Sequence, residues 1–275
     1  MDLNTITTVA TPRRRADLPV WSPGDAWLAG GTWLFSEPQP ELSRLIDITD
    51  LAWPSLQTSD HGLRIAATCT IAELAGMAFP VRWSATPLVN QCCRSFLASF
   101  KIWNVATVGG NLCLALPAGP MISLTTALDG VCEVWTPDGG VRSVAANDFV
   151  LAPRCNALKQ GELLRAIDVP LAALRRRTAF RQISLSPLGR SGALVIGTHS
   201  PDDGSFAVNV TAATPRPVQL RFSGIPGARA LREALETAIA ELGGYYDDVH
   251  GSPAWRRQVT LISAADIRDE LAGSN

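Results

Sequence analysis

Two short segments carry residue types suited to holding a phosphorylated ligand. Leu28-Ala29-Gly30-Gly31-Thr32-Trp33-Leu34 and Thr107-Val108-Gly109-Gly110-Asn111 each follow an apolar strand-like run with two glycines, next to a small hydroxyl residue. Glycine admits positive φ and leaves no Cβ in a ligand's path. Consecutive backbone N–H groups in such a turn form an anion-binding concavity. Thr32, Thr107 and Asn111 add side-chain donors. The ligand this chemistry suits is a doubly charged pyrophosphate. A Gly-Gly pair by itself is more often an ordinary tight turn, as at Gly139-Gly140 and Gly243-Gly244. The chain has no Gly-x-Gly-x-x-Gly fingerprint, so a Rossmann-type nucleotide site is not indicated.

The remaining chemistry-bearing residues are dispersed. Only two of the 24 basic residues are lysines, Lys101 and Lys159, and neither follows a glycine as a P-loop requires. His61, His199 and His250 lie far apart and follow no metal-ligand pattern. Cys69, Cys92, Cys93, Cys113, Cys132 and Cys155 form no Cys-x-x-Cys pair and match no zinc or iron–sulfur spacing. They read as buried free thiols of a cytoplasmic protein. A formal net charge of −1 lacks the positive surplus of a general nucleic-acid binder. No apolar run approaches the roughly 20 residues of a membrane span, and the N-terminus lacks the apolar stretch of a signal peptide. At 275 residues and 47% hydrophobic, the chain can bury a core and form two domains.

The periodicity predicts the elements that must position the two diglycine segments. Short strands are expected at 27–29, 45–48 and 63–67, the first ending at Gly30. Thr70 with Glu73 makes a capping box that starts a helix. A second helix is expected over 87–99, with Leu88, Val89, Cys92, Phe96 and Leu97 inward. Residues 101–120 read as loop and turn, and 121–128 as helix. A hairpin over 131–144 and a strand over 161–170 follow. Near residue 176 the texture changes to four strands, at 180–185, 193–198, 206–212 and 218–222. Two amphipathic helices close the chain. The expected C-terminal piece is a small sheet with helices on one side.

AGGTWL at 29–34, LIDI at 45–48, TVGGNL at 107–112, PAGP at 117–120 and GELLRAIDVP at 161–170 occur in this order. Together they resemble the FAD-binding subunit of the molybdenum-containing hydroxylases. That group includes the medium subunit of carbon monoxide dehydrogenase and the flavin part of xanthine dehydrogenase. The resemblance covers essentially the whole chain. It implies an α+β fold: a two-part FAD-binding domain like that of vanillyl-alcohol oxidase and p-cresol methylhydroxylase, then a small C-terminal α+β domain with an antiparallel sheet and helices. The implied limits are 1–176, with subdomains of about 1–55 and 56–176, and 177–275.

The resemblance further implies that FAD is held by Leu28, Ala29, Gly30, Gly31, Thr32, Trp33 and Leu34, and by Thr107, Val108, Gly109, Gly110 and Asn111. Leu164 falls where the family packs a leucine on the isoalloxazine, and Arg181 where xanthine dehydrogenase has a flavin-contacting lysine. No catalytic side chain and no metal ligand is implied. Electrons would come from [2Fe–2S] clusters in a small partner subunit, downstream of a large molybdopterin subunit, and pass through FAD to NAD or another acceptor. A self-contained flavoprotein oxidase and a non-catalytic scaffold subunit are the alternatives. This chain departs from the family pattern at Trp33, usually acidic, at Trp103, usually arginine, and at Pro120, often aspartate.

Overall fold

The computed structural model describes residues 3–273. The chain opens with β1 (Thr8–Ala10), β2 (Asp25–Leu28) and β3 (Arg44–Asp47), a parallel sheet in the order β1-β3-β2. The nearly buried Asp25 carboxylate takes the Arg44 guanidinium at 2.6 Å, which ties the start of β2 to β3. Then come β4 (Leu56–Ser59), β5 (Gly62–Ala66) and the helices α1 (Ile71–Gly76), α2 (Thr86–Arg94), α3 (Phe100–Trp103), α4 (Val108–Leu114) and α5 (Pro120–Ala127). After them lie β6 (Val131–Trp135), β7 (Val141–Ala145), α6 (Ala146–Phe149), β8 (Val150–Ala152), β9 (Cys155–Asn156), β10 (Leu163–Pro170) and α7 (Leu171–Leu174).

These strands build an antiparallel sheet in the order β4-β5-β10-β6-β7, with β8 and β9 as a separate hairpin. Its inner face packs on α1, α2, α4 and the wholly buried α5. The α1 capping box forms as the sequence predicts: Thr70 Oγ1 accepts from the Glu73 N–H, and Glu73 Oε2 accepts from the Thr70 N–H.

The last hundred residues add β11 (Arg177–Ile183), β12 (Ala193–His199), β13 (Phe206–Thr211) and β14 (Val218–Phe222), an antiparallel meander, then α8 (Ala228–Glu241) and α9 (Pro253–Leu271). Val195, Val208 and Val210 pack against Leu235 and Ile267 of the two helices. Leu194 and Ile196, on the opposite face of β12, join the core that contains α5. Helices α8 and α9 therefore cover one face of this sheet, and the core that contains α5 covers the other. Strands β12 and β13 are apolar or neutral at almost every position, and that is the pattern of a two-sided burial.

Two expected elements change. The helix expected over 87–99 stops at Arg94, because Leu97 takes a left-handed φ of +47° and turns outward, 43% exposed. The expected loop over 101–120 contains α3 and α4. Thr107 caps α4 by accepting from the Gly110 N–H, and this supplies the start signal that the diglycine obscures. Among the cysteines, Cys69, Cys92, Cys93 and Cys132 are buried as expected, and burial pushes the Cys69 and Cys93 thiols up to about 12. Cys155 is exposed. No helix among the described residues is long and apolar enough to cross a membrane.

Two polar hubs fasten the C-terminal sheet. Arg256, 1% exposed, donates to the carbonyl oxygens of Gly251 at 2.9 Å and Gly192 at 3.0 Å, and to those of Ala212 and the Asp248 carboxylate. Asp129, just past α5, receives Arg176 at 2.6 Å, Gln219 at 3.1 Å and Arg221. Burial pushes the Asp129 carboxyl up, but the hydrogen bond from Arg221 and the charge of Arg176 outweigh this and hold it below its ordinary value.

Replacing Arg256 by methionine keeps the volume and strands three carbonyls and a carboxylate. It should cost about 3–5 kcal/mol in urea unfolding with the m-value unchanged. Asp129→Asn should cost about 1–3 kcal/mol at neutral pH. Because the folded carboxyl is lowered, that contribution is complete above the unfolded value of about 3.9 and fades as pH falls through the folded one. Unfolding curves of the two proteins should therefore converge in acid and stay apart from about pH 5 upward.

Candidate functional site

The two diglycine segments meet across a groove. A cleft of about 280 Å³ is lined by residues 27–34 on one side and by Phe96, Ala106, Thr107, Gly110, Asn111, Cys113 and Leu114 on the other. A second cleft of about 390 Å³ shares Thr32, Trp33, Phe96, Asn111 and Leu114 with the first. It runs on past Leu97, Ile102, Leu116, Gly119 and Pro120 to Leu188, Arg190 and Ser191, between β11 and β12. The groove thus joins the end of β2 to the loop of the C-terminal sheet.

The four glycines have different tasks. A Cβ on Gly30 would lie 1.7 Å from the Val105 carbonyl oxygen, so Gly30 lets the two segments touch backbone to backbone. Gly31 has φ +66°, the left-handed turn that redirects the chain into the loop. A Cβ on Gly109 would meet the Ala67 backbone at 2.7 Å, so this glycine seats α4 on the end of β5. Gly110 is exposed, and a Cβ there would meet only the Thr107 hydroxyl, at 2.9 Å. Of the four, Gly110 is the one whose missing side chain leaves room on the groove floor.

The hydrogen-bond donors divide as sharply. Among the described residues, none accepts from the backbone N–H groups of Gly30, Gly31, Thr32, Trp33 or Leu34. These five successive half-buried donors stand on the groove wall, and among the described residues the Thr32 hydroxyl beside them takes no part in a hydrogen bond. The second segment does not form the anion concavity expected of it. Its N–H groups are already engaged: Val108 with the Cys69 carbonyl at 2.8 Å, Gly109 with that of Ala67 at 2.9 Å, Gly110 with Thr107 Oγ1 at 3.0 Å, and Asn111 with the Thr107 carbonyl at 3.0 Å. A helix starting on a β-strand end consumes them. Asn111 Oδ1 accepts from the Met121 N–H at 3.0 Å, which orients its amide so that the NH₂ remains as donor in the groove.

Trp33 lines both clefts, whereas Trp103, the other tryptophan in a motif, packs against the core. Val108 and Gly109 are buried beneath the groove floor. Leu164 is 2% exposed in the core of the five-stranded sheet, opposite Val134, and does not line the groove. Arg181 does not line it either: its guanidinium pairs with Glu270 of α9 at 2.7 Å. Sequence reasoning missed Phe96, Leu97, Cys113, Leu114, Leu116 and the 188–191 loop. The break of α2 that turns Leu97 outward has no sequence signal. The Gly189 turn was the one available hint of the loop.

A half-buried row of free donors, a bare glycine opposite, an amide and long apolar walls are chemically compatible with an extended phosphorylated ligand. The comparisons agree. Residues 15–172 match the model of the FAD-binding domain in molybdopterin dehydrogenase, and the chain belongs to that family. The carbon monoxide dehydrogenase medium chain of Afipia carboxidovorans is 25% identical over 222 residues, 78% of this chain and 76% of that one. Xanthine dehydrogenase 2 of Arabidopsis thaliana is 27% identical over 122 residues, 42% of this chain but 9% of the plant protein. The solved structure of quinoline 2-oxidoreductase from Pseudomonas putida 86 superposes with a TM-score of 0.79 at 20% identity, covering 100% of this chain and 99% of that one.

The glycines yield a test. Gly110→Leu should fold with its unfolding free energy within about 1 kcal/mol of the parent, since leucine suits a helix better than glycine. It should weaken FAD uptake at least about tenfold in equilibrium dialysis, about 1.4 kcal/mol. Gly30→Ala should instead lose about 2 kcal/mol or more of stability, because two backbones must part.

Proposed function

We propose that the chain is the FAD-carrying electron-transfer subunit of a molybdenum hydroxylase-type complex. The observation that supports this best is the run of five unpaired N–H groups at Gly30–Leu34 facing bare Gly110 across a groove, in a chain of the molybdopterin dehydrogenase FAD-binding family. Backbone dipoles supply most of the positive potential that a pyrophosphate needs. Arg190 adds a charged side chain to the groove lining. The Asn111 amide and the Thr32 hydroxyl fix the ligand's position along the groove, and Phe96, Leu114 and Leu116 exclude water from its apolar parts.

When bound, the flavin supplies the redox chemistry that couples one-electron clusters to an acceptor. No side chain in the groove is required as acid or base. The proposed partners are a small [2Fe–2S] subunit and a large molybdopterin subunit, with NAD or another molecule as acceptor. The proposed limits are 1–176 for the FAD-binding domain, in two parts of the vanillyl-alcohol oxidase type, and 177–275 for the C-terminal domain. A cytoplasmic location follows from this assignment. Leu164 and Arg181, which do not line the two clefts, are given no contact in this proposal.

Co-purification with the neighbouring-gene products checks the reading. The expected result is a complex with a flavin absorption spectrum that releases one FAD per copy of this chain on denaturation. A complex without flavin supports the scaffold reading instead. Turnover of an organic substrate by this chain alone supports the self-contained oxidase.

A further inference from the structure

Trp33 lines both clefts where they join, and among the described residues it is the one aromatic ring of the groove with a cation on it. The Arg154 guanidinium lies 4.8 Å from the ring centroid. Arg154 is itself held. Its N–H donates to the Ala115 carbonyl at 3.0 Å, its φ is +60° in the turn between β8 and β9, and its guanidinium reaches Glu37 at 3.3 Å. The Trp33 carbonyl accepts from both the Ser36 N–H at 2.9 Å and the Ser36 hydroxyl at 2.8 Å, which fixes the backbone that carries the ring. The indole is therefore covered on one face by a braced cation and has its other face and edge for the clefts it lines.

We propose that Trp33, positioned by Arg154, is a stacking platform for the isoalloxazine ring of the bound flavin. The assignment rests on the flavin reading above and deepens it. Trp33 belongs to the loop whose N–H donors would hold the pyrophosphate, so its ring stands within the span of a flavin attached there. Of the two clefts, the second is the larger, and Phe96, Leu97, Ile102, Leu114, Leu116 and Leu188 give it apolar walls. Beside those walls stand Asn111, Arg190 and Ser191, so the cleft offers apolar surface to the dimethylbenzene end of a flavin and polar partners to its pyrimidine end. An electron-rich indole against an electron-poor tricycle is the favoured pairing of π systems. Arg154, over the ring at 4.8 Å, holds the indole where the two clefts meet.

Flavin fluorescence separates the outcomes, since an indole in contact with isoalloxazine quenches its emission. The full-length chain is loaded with FAD, and emission yield, lifetime and FAD affinity are measured for the parent, Trp33→Leu, Trp33→Phe and Arg154→Gln. In the parent, the bound flavin should be strongly quenched. Trp33→Leu should raise the emission several-fold and weaken FAD binding roughly tenfold, the scale of one lost aromatic stacking partner. Trp33→Phe keeps a stacking surface, so it should hold affinity within about threefold while still relieving most of the quenching. Arg154→Gln should lengthen and broaden the lifetimes as the ring loosens. Unchanged emission in both Trp33 variants overturns the proposal. Weaker FAD binding with unchanged emission assigns the ring to adenine and overturns it as well. Unchanged lifetimes in Arg154→Gln overturn the positioning role. A parent chain that takes up no flavin refutes the flavin reading itself, and the assignment falls with it.

Discussion

The groove depends on two backbones coming closer than any side chain would permit. Gly30 abuts the Val105 carbonyl with no space for a Cβ, and Gly109 is pressed onto Ala67 at the end of β5. These contacts lock the loop after β2 to the start of α4. A small core of Ile48, Leu51 and Leu163 with Trp27, and the Trp27 Nε1–H that donates to the Glu162 carbonyl at 2.9 Å, tie the small parallel sheet to the larger antiparallel one as well. Close packing makes such a contact all or nothing, because one added methyl group must displace main chain rather than bend a side chain. The cleft between the loops is the space left once that approach is complete.

Within the groove, hydrogen-bond supply decides which side binds. Both segments have the same glycine pair and the same kind of hydroxyl neighbour, yet they end up electrically different. The α4 start spends its donors on Ala67, Cys69 and Thr107, so its contribution is rigidity and a bare surface at Gly110. The loop at Gly30–Leu34 is neither helix nor strand, so its donors have no partner within the described chain. A protein that keeps half-buried N–H groups unpaired needs water or a ligand to satisfy them.

The C-terminal sheet takes part through the loop between β11 and β12. Ser95 and Ser191 both line the second cleft and are bridged by Gln182, at 2.9 and 3.0 Å, which ties the end of α2 to the base of this loop. Arg256 holds the Gly192 carbonyl from beneath. Asp129 and the Ser123–Thr211 hydroxyl pair fasten the same sheet to α5. The far wall of the groove is thus anchored by buried polar contacts rather than by area alone. Such anchors specify one arrangement more sharply than apolar packing does.

The amino-acid sequence by itself determined most of the elements, because their signals are local. The Thr70–Glu73 capping box, the hairpin turn at Pro137–Gly140, and the alternation in residues 163–170 each act within a few residues. The ordered motifs were also enough to point to a flavin site of this family. The tertiary structure decided what each motif residue does. Identical Gly-Gly pairs divide into spacer, turn and open floor according to what lies across from them, and no local pattern encodes that. Leu164 and Arg181 were claimed by the core and by Glu270, since burial and ion pairing depend on distant chain. Trp33 and Trp103 looked alike in their motifs and were separated only by packing. One faces the groove beneath Arg154, some 120 residues away in the chain, and the other packs half-buried against the core.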